Sequence, residues 1–111
     1  MKKLMILEKA IQLVNSVNYF RRQYLNENGF GLSPMLRRSS VSVAAYIAEA
    51  FETAIPRQKL RLLFASQRAL AECDQYLLLA GKQENCNTKK IRIRVEQVSI
   101  QLDSYINALR K

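Results

Sequence analysis

The side chains able to do covalent or metal chemistry are few in this chain. It contains no histidine, two cysteines and three glycines among 111 residues. Cys73 stands between Glu72 and Asp74, and neighbouring acids raise a thiol pKa and disfavour the reactive thiolate. Cys86 lies in a polar stretch and has no deducible role. The two thiols form neither a Cys-x-x-Cys pair nor, without histidine, a zinc set. Glu49-x-x-Glu52 and Glu72-x-Asp74 place acids close together, but di-metal helical bundles use Glu-x-x-His pairs. Gly29, Gly31 and Gly81 make no phosphate-cradling loop. Nucleophilic catalysis needs an activated nucleophile and a base. Neither is evident, so the expectation is a protein that is not an enzyme and takes no metal or cofactor.

What remains is charge. Eighteen Lys and Arg face nine Asp and Glu, a formal net charge of +9, and the pI is 9.9. A basic surface keeps a small protein soluble; it also attracts polyanions without reading sequence. The densest bases are Arg21-Arg22 and the run Lys89, Lys90, Arg92, Arg94. Arg21 and Arg22 also suit a helix C-terminus, where the dipole favours cations. Few aromatics accompany these bases, so phosphate contact is expected over base stacking.

These residues must be carried by long elements, because only three Gly and two Pro punctuate the chain. The first helix is expected over Lys3–Leu25, with a stripe at Leu4, Leu7, Ile11, Val14 and Asn18 and with Ala10, Val17 and Tyr24 beside it. Residues 26–31, with two glycines, read as the turn. Ser33-Pro34 then signals a helix start, serine as cap and proline in the first helical position. The second helix runs to about Ala54, with Leu36, Val43, Ile47, Ala50 and Phe51 as its apolar positions. Its small residues let a neighbouring helix come close. Arg37 and Arg38 fall in its first turn, where the dipole repels cations. Pro56 opens the third helix, read as two-faced through Leu60, Leu63, Phe64, Gln67, Leu70, Ala71, Leu77 and Leu78. Gly81 is its expected stop. After a polar loop at 82–87, Asn87 or Thr88 caps the fourth helix. Residues 91–95 alternate like a strand, yet Ile91, Val95, Val98, Leu102, Tyr105, Ile106 and Leu109 sustain a three-four repeat, and the helix is preferred. Ile93 and Ile100 lie off that stripe; they either pack at the bundle edge or touch a second subunit. Four amphipathic helices with short connections predict an all-α, up-down-up-down four-helix bundle, one domain over residues 1–111. In that topology the first and third connections share one end of the bundle. Arg21, Arg22, Arg37, Lys89, Lys90, Arg92 and Arg94 then gather there as the candidate nucleic-acid-binding set. Lys2, Lys3, Arg110 and Lys111 fall at the other end.

The stretch LRRSSVSVAAYIAEAF, residues 36–51, resembles the signature helix of the 23S ribosomal RNA intervening-sequence proteins. Leu36, Arg37, Arg38, Ser42, Val43, Ile47, Ala48 and Glu49 match the family pattern. Met35, Tyr46 and Ala50 depart from it, standing where that pattern has Gln, Asn and Gly. A second match in the same register uses Phe64, Ala69, Leu70, Glu72 and Leu77. The resemblance implies the four-helix bundle and a ring-shaped homopentamer. Related bundles include the accessory variability protein of diversity-generating retroelements, a basic pentamer that binds a reverse transcriptase and nucleic acid. The resemblance also favours a structural ion-pair cluster of Arg38, and of Arg37, with Glu49 and Glu72, held at low exposure across helices two and three or across a subunit interface. The alternative is that these charges are solvated.

The expected function is a non-catalytic, self-associating bundle whose basic surface binds nucleic acid, structured RNA above all, with low sequence specificity. Two alternatives belong to other classes: an adaptor whose partner is a reverse transcriptase, and a purely structural oligomer. No run approaches the ~20 apolar residues of a membrane span. MKKLMIL is broken by Glu8, Lys9 and Gln12 before it reaches signal-peptide length. Two thiols and no export signal predict a cytoplasmic protein with no membrane partner.

Overall fold

A computed structural model describes the backbone over residues 2–25 and 31–111, and side chains from residue 5. These residues form four helices and no strand: α1 Lys2–Tyr24, α2 Leu32–Glu52, α3 Pro56–Gln83 and α4 Lys89–Leu109. The expected turn at residues 26–30 and the stripe position Leu4 lie outside the described side chains. Each helix packs on its neighbours in sequence, and α4 closes back on α1; the α2–α3 contact is the most extensive. At about 1.5 Å per residue α3 is about 42 Å long, which accounts for the 43 Å long axis of the molecule.

The core is built from stripes with steps of three and four. They are Ile6, Ala10, Leu13, Val17 and Phe20 on α1; Leu36, Ser40, Val43, Ile47 and Ala50 on α2; Leu63, Ser66, Leu70, Cys73, Leu77 and Ala80 on α3; and Ile91, Val95, Val98, Leu102 and Ile106 on α4. A repeat near 3.5 residues keeps a seam facing its partner along nearly antiparallel helices. The α1 stripe differs from the sequence expectation. Ile11 is 47% exposed and Tyr24 is exposed as well, while Leu7 and Val14 sit on the flank. Both candidate stripes are apolar, but the expected one ends in Asn18, whereas the observed one stays apolar through Phe20. On α3, Ala71 and Leu78 are exposed, and Ser66, Ala69, Cys73 and Ala80 take the buried positions.

Small buried residues let α2 and α3 approach. The Ser66 hydroxyl donates to the Val43 carbonyl across this seam at 2.9 Å. Ser39 and Ser40 satisfy themselves locally, donating to the carbonyls of Leu36 and Arg37, the back-bonding available to serine within a helix. At the opposite end of α2, the Phe51 and Tyr105 rings meet edge to face at 5.6 Å, a geometry the ring quadrupoles favour.

Three helix ends differ from expectation. Gly31, at φ 90°, precedes the first residue of α2, a backbone region open to glycine. Ser33 therefore does not cap; it is buried in the first turn. Pro34 still falls where no intrahelical N–H bond is lost. Because α2 starts at Leu32, Arg37 and Arg38 lie in its second turn. At its far end α2 stops at Glu52, where Thr53 turns extended, and Pro56 opens α3 as expected. Gly81 does not stop α3, which continues to Gln83. The stop is made by Asn85, at φ 49°. The Cys86 N–H bonds the Gly81 carbonyl at 3.0 Å, the six-to-one bond of a Schellman motif. Glycine is needed at 81 for space: a Cβ there would lie 2.9 Å from Thr88 Cγ2 and 3.2 Å from the Cys86 carbonyl oxygen. Asn87, rather than Thr88, supplies the side-chain cap of α4, its Oδ1 accepting from the Lys89 N–H at 2.9 Å.

Candidate functional site

The end of the bundle that joins α1 to α2 and α3 to α4 carries the candidate basic site, and the fold sorts its cations into two kinds. Arg21 is half-buried and works as a strut: its Nε donates to Ser33 Oγ at 2.9 Å and its Nη1 to Asn18 Oδ1 at 3.0 Å. Arg92 is clamped on α3, its Nε and Nη2 donating to the two carboxylate oxygens of Asp74 at 2.9 and 3.0 Å. That bond holds the Arg92 guanidinium above its ordinary pKa. Arg94 reaches across to α1, donating to Gln12 Oε1 at 3.2 Å. Arg22, Arg37, Lys89 and Lys90 are exposed. Among the described residues no carboxylate is paired with these four. Arg21, Arg22, Arg37, Lys89 and Lys90 flank the two connections, Arg92 and Arg94 lie one to two turns further in, and Arg21, Arg92 and Arg94 also bond to other helices.

Lys89 and Lys90 are the first two residues of α4, whose first turn holds no acid. The positive end of the helix dipole disfavours cations there by about 0.3–1 kcal/mol each when exposed. The same end has free backbone N–H groups and a field that favours an anion. Sequence reading missed the Arg92–Asp74 clamp. The signal was available in the antiparallel register of α3 and α4 across their short loop, which sets Asp74 opposite Arg92.

The proposed low-exposure cluster is not formed within one subunit. Arg37, Arg38, Glu49 and Glu72 are all exposed, and among the described residues no ion pair joins them. They lie off the three-four stripes, on outer faces of α2 and α3. Arg38 and Glu72 do share a feature: both line a cleft of about 180 Å³ between those helices, with Ser42, Tyr46, Arg68 and Tyr76. Ile93 and Ile100, seven positions apart on α4, are 50% and 60% exposed, so each keeps about half of its surface uncovered within the subunit. A broader groove between α3 and α4 runs from Lys89 and Lys82 past the Arg92–Asp74 pair. It ends at Gln67, whose Nε2 donates to Asp103 Oδ1 at 2.6 Å.

Neither thiol is poised for chemistry. Burial pushes Cys73 from 9.0 up to about 11, against a lowering contribution from the Ser39 hydroxyl, and Asp74 raises it further. Cys86 is raised by burial and then by Glu84. Both are unpaired. Among the described residues no three acids or thiols gather to hold a metal, and no helix is long and apolar enough to cross a membrane.

Comparison with known proteins agrees with this architecture. A crystal structure of a protein of unknown function from the S23 ribosomal protein family of Bacteroides thetaiotaomicron superposes with a TM-score of 0.86. The match is at 21% identity and covers 96% of this chain and 99% of that one. No curated protein matches. The family model described as 23S rRNA-intervening sequence protein matches residues 2–106. The chain belongs to the 23S rRNA-intervening sequence protein family.

Proposed function

We propose that this protein is a non-catalytic, cytoplasmic, oligomeric bundle that binds structured RNA by phosphate contact at the end shared by its first and third connections. The observation that carries this reading is the exposed set Arg22, Arg37, Lys89 and Lys90 at that end, on a chain with a net charge of +9. Exposed Ile93 and Ile100 support self-association, since apolar side chains grouped on an outer face mark interfaces. We take the assembly as a ring of five. Five copies of +9 give +45, a field strong enough to concentrate polyanions near its basic faces.

Fluorescence anisotropy with a blunt RNA hairpin over a salt series tests the binding. Affinity should fall steeply as salt rises. Arg22, Arg37, Lys89 and Lys90 changed together to Gln should weaken binding and flatten the slope by roughly one per lost phosphate contact. Arg21, Arg92 and Arg94 are left in place because they bond to other helices. Light scattering coupled to size exclusion at micromolar concentration reads the mass, and a clean monomer refutes the assembly. If RNA and DNA are both ignored at low salt, the adaptor reading, with a reverse transcriptase as partner, replaces this one.

A further inference from the structure

The cleft between α2 and α3 has a composition that the fold does not require. Two ladders face each other across it. Arg38, Ser42 and Tyr46 follow at steps of four on α2, and Arg68, Glu72 and Tyr76 follow at steps of four on α3; that spacing stacks side chains along one helix face. The Ser66–Val43 bond fixes the antiparallel register, which sets Arg38 opposite Glu72 and Ser42 opposite Arg68. Arg38, Arg68, Glu72 and Tyr46 are exposed, whereas Tyr76 is half-buried and packs on the core.

From this juxtaposition we infer that the α2–α3 cleft binds a single unpaired nucleotide, with its phosphate on Arg38 and Arg68 and its base on the Tyr46 ring. The inference rests on the RNA reading above and names a second contact for it. Two guanidinium forks against one carboxylate leave the cleft net positive. Such forks match phosphate oxygens in paired N–H bonds. A tyrosine face is a platform for an unstacked base, which a duplex does not offer. The cleft volume of about 180 Å³ is several times the ~30 Å³ of one water, enough for one flat ring and too little for a helix. Glu72 adds selectivity. A carboxylate only accepts hydrogen bonds, so it favours a base edge that presents N–H donors side by side. Guanine does so; uracil offers a single N–H between two carbonyls.

The test compares two RNAs of the same hairpin, one blunt and one with a short single-stranded guanine-containing tail. Anisotropy at fixed salt should show the tail tightening binding on the order of tenfold, the effect expected of one stacked base. Tyr46→Ala, and Arg38→Gln with Arg68→Gln, should remove that increment and leave the blunt hairpin unchanged. Tyr76 is kept because it packs on the core. Glu72→Gln should erase the preference for a guanine over a uracil tail. Circular dichroism melts of each variant confirm that these exposed changes leave the fold intact. Equal binding of tailed and blunt RNA by the unmodified protein overturns the inference while the phosphate reading stands. A shift of oligomeric mass in the arginine variants, with the tail effect intact, overturns it in favour of a subunit interface. Loss of all RNA binding by the unmodified protein refutes both.

Discussion

Raising the pH should destabilise this bundle through one buried thiol. Cys73 is fully enclosed, and burial lifts it from 9.0 to about 11. The neutral thiol is therefore favoured in the folded state. Below pH 9 both states hold the proton and the contribution is complete. Between pH 9 and 11 the unfolded chain loses its proton while the folded one keeps it, so stability falls as pH rises. Two units at about 1.4 kcal/mol each set a ceiling of roughly 2–3 kcal/mol, of which about 2 kcal/mol is lost by pH 11. For a chain of this size total stability is on the order of 5–15 kcal/mol, so the loss is readable. Tyr105 is raised by burial and acts in the same direction. The informative quantity is thus the difference between the unmodified protein and Cys73→Ala. Urea melts from pH 7 to 11, at constant protomer concentration, should show the unmodified protein losing about 2 kcal/mol more than the variant. The offset at pH 7 reports the small cavity and is irrelevant to the argument. Parallel pH profiles would refute it and mean that the site opens or hydrates before the thiol ionises.

Other parts of the fold give separate outcomes. Ser66→Ala removes the donor to the Val43 carbonyl, which keeps its place in the α2 hydrogen-bond ladder; urea melts should show a loss of about 0.5–1.5 kcal/mol. Gly81→Ala gains about 1 kcal/mol of helix propensity but forces its Cβ into Thr88, so thermal melts should show net destabilisation, relieved when Thr88→Ser removes the Cγ2 methyl. The Arg92–Asp74 pair is about one third exposed on each side, 37% and 33%; a double-mutant cycle should give a coupling near 1 kcal/mol or below that shrinks with added salt. Lys89→Glu with Lys90→Glu puts acids at the positive end of α4 and should raise stability by about 1–2 kcal/mol in a melt, while hairpin binding measured by anisotropy falls.

The fold was largely legible because four apolar repeats and few breakers leave one simple solution. The α4 stripe is legible almost residue for residue, since Arg92, Arg94, Glu96 and Gln97 interrupt the other faces and Ile93 and Ile100, seven positions apart, are too few to make a rival stripe. On α1 the sequence offered two apolar stripes, and periodicity alone cannot rank them. The choice is made by what α2 and α4 can cover along the full length of the helix, which is tertiary information. The helix ends failed for a related reason. Ser33 has the chemistry of a cap, but Gly31 can take a backbone angle that serine cannot, and Arg21 needs the Ser33 hydroxyl as a partner. Gly81 has the backbone freedom of a stop, yet the loop uses its missing side chain instead.

The candidate site was legible as a list of cations and not as a set of roles. Arg92 and Lys89 look alike in a charge run; only the register of α3 shows that one has Asp74 and the other does not. Arg37 and Arg38 do not occupy a first turn, since α2 begins at Leu32. The dipole penalty falls instead on Lys89 and Lys90, which do begin their helix. Local helix physics disfavours both, and neither shares the Asp74 clamp that relieves Arg92. A fold shaped by stability alone would place acids at these two positions. Two lysines there carry a local cost that no printed contact among the described residues offsets. This is why the sign of the stability change in the double Lys→Glu variant carries weight: a rise accompanied by lost binding shows that the positions serve a ligand, and a fall shows that the bundle itself needs them.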